Sequence, residues 1–163
     1  GPIIVNILAF HIFIAGGGLA DPAVIASLDD LSERFAGHRS PRTLPDIGFA
    51  VENLARVQRA GIRIAAGSDA GNIGTLQGPA LHRELELMAQ AGLSPKEILI
   101  AATHHGAMVM DREHELGTLA PGKLADMLIL DANPLEDIRH TRRIHAVIKD
   151  GVLFEAHRLR DAL

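Results

Sequence analysis

Residues 62–71 read IRIAAGSDAG, a short apolar run that stops abruptly at a glycine, a serine and an acid. The first five residues have the length and apolar character of a buried strand, entered from Gly61. A carboxylate, Asp69, then stands just past its end, between Gly67 and Gly71. In parallel α/β architectures ligands bind at the carboxyl ends of the strands. Glycine-flanked backbone also lets a metal or a substrate come close. A turn explains the same residues without chemistry, since Ser68 or Asp69 can hydrogen-bond the loop backbone as Asx turns do. Position alone leaves both readings open.

Working outward, strand and helix patterns alternate on both sides. Upstream, residues 3–8 (IIVNIL) are apolar on both faces and read as a strand covered on both sides. The Gly16–Gly18 run follows, without the spacing or the helix of a dinucleotide fingerprint. A helix is expected over 21–37, with Asp21 as N-cap and Pro22 at its first position, and another from Asp46 to Gly61 with the stripe Ile47, Val51, Leu54, Val57. Downstream, Gly78-Pro79 opens a helix carrying Leu81, Leu85 and Met88 and ending at Gly92. Ser94-Pro95-Lys96-Glu97 spells a capping box, so a further helix runs from 95 to about 105. Beyond residue 112 the texture changes to short strands at 125–130, 145–149 and 152–154, with Asp150-Gly151 as a two-residue hairpin signal.

Alternating units predict parallel strands joined by right-handed crossovers. Two such strands, 3–8 and 62–66, are too few to be covered by four helices. The expected class is therefore α/β, and the sequence looks like the end of something larger. A chain that begins without Met, inside an apolar run, reads as an excerpt of a longer protein.

Composition narrows the function. At 163 residues, 47% hydrophobic and 22% charged, the chain has globular character. A net charge of −4 excludes nucleic acid as the expected partner, because phosphate recognition needs a clustered basic surface. The absence of cysteine removes disulfides and zinc–thiolate sites. The apolar stretch 2–20 is broken by Asn6, His11 and three glycines, where a membrane span needs about 20 continuous apolar residues. No membrane association is expected. The expected compartment is the cytoplasm, and the composition is compatible with the periplasm too.

The runs AGIRIAAGSDAG (60–71), GPALHRELELMAQAGLSPKEILIAAT (78–103), GTLAPGKLADMLILDANPLEDI (117–138) and IHAVIKDGVLFE (144–155) closely resemble the C-terminal part of the metal-dependent amidohydrolase superfamily, of the imidazolonepropionase and prolidase kind. The stretch Gly117–Pro134 is the most specific part. The resemblance implies the C-terminal portion of a (β/α)8 barrel over residues 1–112, followed over 113–163 by part of a small β-sandwich; the whole barrel of that family carries one or two divalent ions, zinc foremost, and hydrolyses C–N bonds in amide, cyclic amide or dipeptide substrates. It places Asp69 at the end of the eighth strand, as metal ligand and as general base toward the hydrolytic water, and 3–8 as the seventh strand. Ser68 and His82 are candidate substrate-binding residues beside it.

Departures from the pattern are equally informative. The family's first strand carries a His-x-His pair, which occurs nowhere among the nine histidines. A full barrel takes about 250 residues. Catalytic zinc usually keeps three protein ligands, so one carboxylate makes a poor site. The chain on its own is expected to be inactive. The alternative reading is a non-catalytic or split module that self-associates or complements another chain; either way bare strand edges favour a homo-oligomer or a missing barrel portion as partner.

Other chemistry-bearing residues read as structural. His104 and His105, adjacent on a helix, point about 100° apart and suit helix-end packing better than a shared ion. His82 and Glu86 share a helix face and are expected to pair at the surface, with a pocket role for His82 as the alternative. His11 is expected to be a satisfied, partly buried histidine. Lys123 and Asp126 are expected to stabilise the PGKLAD turn (121–126), Asp126 by hydrogen-bonding near it.

Overall fold

The computed structural model describes residues 3–6, 47–70 and 78–161. Strand β1 is Ile3–Asn6, followed by helices α1 (Ile47–Arg59) and α2 (Pro79–Gln90). Helix α3 starts at Pro95–Ile100, widens into a π-turn at Ala101–His105, and closes α-helically at Gly106–Val109. Strands β2 (Met127–Leu130), β3 (Ile144–Lys149) and β4 (Val152–Glu155) follow, then the short helix α4 (Ala156–Asp161). No helix among the described residues is long and apolar enough to cross a membrane.

Local sequence signals account for most of these boundaries. Ser94 caps α3 with the reciprocal pair expected of S-x-x-E: its hydroxyl accepts from the Glu97 N–H, and the Glu97 carboxylate accepts from the Ser94 N–H at 2.7 Å. Pro79 and Pro95 sit in the first turns of α2 and α3, where a missing N–H costs nothing. Between β3 and β4 the backbone turns at Asp150 (φ 50°) and Gly151 (φ 80°). Positive φ at both central residues is the type I′ geometry that matches the twist of the flanking strands.

Two apolar clusters hold the fold. The larger gathers Leu85, Met88, Ala91, Leu93, Ile98, Ala101 and Ile138, with Val51, Leu54, Ile64 and Ala66 packed on it. The smaller lies on the sheet, with Leu128, Leu130, Ile144 and Val147 at its centre. Leu81 of α2 packs against both and links them. The α1 stripe is only half-buried, and Ile47 at its start is 54% exposed.

The strand expectations require correction. The sheet is antiparallel throughout, in the order β1-β2-β3-β4. β1 does not lie parallel to residues 62–66; it pairs antiparallel with β2, Ile3 opposite Leu130 and Asn6 opposite Met127. Its apolar composition suits any buried ladder and does not specify the partner. Residues 62–69 join no sheet among the described residues; a strand exists only through the ladder of a neighbour, and the described residues supply none. No pair of parallel strands is therefore found among the described residues. The described sheet is one four-stranded layer, and α3 runs to Val109, past the expected end near 105. The Asp21–Gly37 helix, the loop before α1, His11 and the Gly16–Gly18 run lie outside the described residues.

Candidate functional site

Although residues 62–69 join no sheet among the described residues, the Asp69 segment keeps the period of an extended chain. Ile64, Ala66 and Ser68 are half-buried, while Arg63, Ala65, Gly67 and Asp69 are exposed. One side therefore packs on the helical layer and the other opens outward, the two-sided presentation of a strand. Asp69 ends it with φ 49°, a left-handed conformation that Asp adopts more readily than most residues.

Three hydrogen bonds tie the segment to α3. The Ala66 N–H donates to the Ala101 carbonyl at 3.1 Å. His105 Nδ1 lies 2.7 Å from the Ile64 carbonyl oxygen, which can only accept, so the ring carries its proton on Nδ1. Arg63 Nη1 reaches the Met108 sulfur at 3.7 Å. A cleft of about 360 Å3 opens beside this seam, lined by Ile62, Ile64, Leu93, Ile100, Glu97 and His105 among others. Glu97, the carboxylate among its described lining residues, is engaged by Ser94 and by Gln58 at 3.3 Å.

His82 is found elsewhere than expected. It is 4% exposed, so the surface pair with Glu86 is not formed. Its Nδ1 lies 3.0 Å from Thr141 Oγ1, whose own proton goes to the Ile138 carbonyl at 2.8 Å. The imidazole must then donate from Nδ1. Burial, and next the charge of Arg142, lower its pKa to about 4 against an opposing pull from Glu86, so the ring is neutral near pH 7. Glu86 instead accepts from Arg142 at 2.8 Å and 3.0 Å, and pairs with Arg83 at 3.5 Å. This group fastens α2 to the 3-10 turn Ile138–Arg142 that leads into β3. Sequence spacing within α2 alone could not reveal a partner 59 residues away.

Lys123 and Asp126 perform the structural roles expected of them. Lys123 Nζ donates to the Glu113 carbonyl at 2.6 Å, the Leu116 carbonyl at 3.2 Å and Thr118 Oγ1 at 2.6 Å. Asp126 accepts from the Asp150 N–H and from Lys149 Nζ, each at 2.9 Å. His104 and His105 do not converge on one point: their ring centroids are 6.1 Å apart, and His105 is taken by Ile64.

Among the described residues no group of three or more His, Cys, Asp or Glu side chains could hold a metal ion. Asp69 alone does not fit a metal centre, whose other ligands the described residues do not supply.

Comparison with known proteins gives these features a context. The amidohydrolase family profile matches residues 30–154. An imidazolonepropionase of Haloarcula marismortui is 28% identical over 144 residues, which make up 83% of this chain and 34% of that protein. The crystal structure of a Xaa-Pro dipeptidase with bound methionine in the active site is 31% identical and superposes with a TM-score of 0.59, over 64% of this chain and 25% of that one. Bottromycin amidohydrolase gives a TM-score of 0.62 at 26% identity, over 91% of this chain and 34% of its own. The chain thus spans about a third of the length of the Haloarcula relative.

Proposed function

The chain belongs to the amidohydrolase family, and from that premise we propose that it forms the C-terminal part of an enzyme that hydrolyses C–N bonds in small molecules. Amides, cyclic amides and dipeptides are the substrate class. This reading takes residues 47–112 as the closing portion of a (β/α) barrel and 113–163, with β1 paired to it, as part of the small β unit beside it. Support comes from the span relative to its relatives and from similarity to a dipeptidase and an amidohydrolase.

Asp69 is the residue this chain contributes to the chemistry. The observation that carries this assignment is the alternation of burial along 63–69. Ile64 and Ala66 face the helices, as the outer face of a barrel strand does, and Asp69 falls on the open side, where the remaining strands would stand. Its role is to accept the proton of the attacking water and, in the completed enzyme, to supply one carboxylate to a divalent ion. Ser68, next to it, is a candidate for holding substrate. His82 is a weaker one, since Thr141 and burial already account for it.

The test uses the full-length enzyme that carries these residues, assayed on a panel of N-acyl amino acids, hydantoin-type rings and X-Pro dipeptides. Asp69→Asn is expected to lower kcat by about 10³-fold, in the range that general acid–base groups contribute, with secondary structure unchanged. The isolated chain is expected to be inactive. Activity within tenfold of wild type in Asp69→Asn would overturn the assignment.

A further inference from the structure

We infer that His105 is a positioning residue: with the π-turn of α3, it clamps the segment that carries Asp69 and fixes where that carboxylate stands. The inference rests on the proposed role of Asp69, but its geometry is independent of that role.

A π-turn holds one residue more than the regular helix needs, and such turns recur at functional sites. Here the turn at Ala101–His105 presents two groups to one neighbouring segment. At its start the Ala101 carbonyl accepts the Ala66 N–H at 3.1 Å; at its end the His105 ring donates to the Ile64 carbonyl at 2.7 Å. Ile64 and Ala66 are two residues apart, on the same side of an extended chain. A donor and an acceptor spaced this way imitate the pairing that a neighbouring strand would offer. The helix so performs part of a ladder's work, and it does so three residues before Asp69. The same turn is buttressed by Gly117, where an added Cβ would meet the Thr103 carbonyl at 3.0 Å and the His104 Cα at 2.9 Å. The turn itself has little room to move.

Catalysis depends steeply on such placement, because a displacement of about 1 Å can cost about 10²-fold in rate. Ring packing and hydrogen bonding can be separated by two substitutions in the full-length enzyme. His105→Phe keeps an aromatic ring but removes the donor. His105→Asn places Nδ2 where histidine carries Nδ1 and can donate to the same carbonyl.

His105→Phe is expected to lower kcat by about 10²-fold with KM changed less than about threefold. Hydrogen exchange at the Ala66 amide is expected to quicken by about tenfold or more. His105→Asn is expected to recover most of both. An unchanged Ala66 exchange rate, or failure of the Asn variant to restore it, would overturn the clamp, and so would an unchanged kcat where Asp69→Asn is itself impaired. If Asp69→Asn proves fully active, the Ala66 exchange rate still decides whether His105 holds the segment, so the two readings fail separately.

Discussion

His82 Nδ1 lies 3.0 Å from Thr141 Oγ1, and through this buried contact α2 grips the turn that feeds β3. Burial, and next the charge of Arg142, disfavour the protonated ring, which makes the junction sensitive to acid.

The folded-state pKa of His82, about 4, is below the ordinary 6.5, so between these values the unfolded chain binds more protons than the folded one. Its contribution is complete above pH 6.5 and is lost as the pH falls toward about 4. That interval corresponds to about 3 kcal/mol. Urea unfolding at a series of pH values should show stability falling across this window, and a flatter profile in His82→Gln. An identical slope in the variant would assign the acid sensitivity to other groups.

Gly117 and Gly122 both have positive φ, 81° and 85°, but only one is crowded. A Cβ at Gly117 would come within 2.8 Å of the Ala107 Cβ, whereas at Gly122 nothing lies within 4 Å. Gly117→Ala should therefore cost about 3 kcal/mol, combining backbone strain with overpacking against α3. Gly122→Ala should cost about 1 kcal/mol from strain alone. Chemical denaturation of the two variants side by side checks the difference.

Lys123 gathers three acceptors with one ammonium group. Lys123→Met keeps most of the aliphatic stem and leaves two backbone carbonyls without that donor. A loss of about 2 kcal/mol is expected, typical of hydrogen bonds to a charged group. The KM of the proposed full-length enzyme should not change, since the three acceptors of Lys123 lie within residues 113–118.

The Asp126 carboxyl is pushed up by burial, yet the Asp150 N–H and Lys149 more than offset this and hold it below its usual value. Replacement by Asn keeps an acceptor for the hairpin N–H and loses the ion pair; replacement by Ala loses both. The Asn variant should be destabilised by less than about 1 kcal/mol and the Ala variant by about 2 kcal/mol. Thermal unfolding distinguishes them, and equal losses would show that the Asp150 contact contributes nothing.

Features set by neighbouring residues were legible in the sequence. The Ser94–Glu97 box, the prolines opening α2 and α3, and the Asp150-Gly151 turn depend on a few consecutive positions and stand where expected. Features set by distant partners were not. Ile3–Asn6 has strand character whichever neighbour it takes, and its choice of β2 comes from a segment more than 120 residues away. Residues 62–66 carry a strand's pattern, but a pattern cannot supply the adjoining chain. The π-turn escapes notice because one added residue barely disturbs a helical period over a short window. His105 has the place of a helix-end residue in the sequence, and its partner Ile64 stands 41 residues away. Asp69 was conspicuous from its surroundings alone, and the means of holding it were not.

The widened turn in α3 also has a cost attached. Deleting one residue between Ala101 and His105 would restore an unbroken spiral and locally improve its hydrogen bonding, yet rotate everything beyond by about 100°. A shortened sequence of that kind would gain regularity and lose the grip on Ile64.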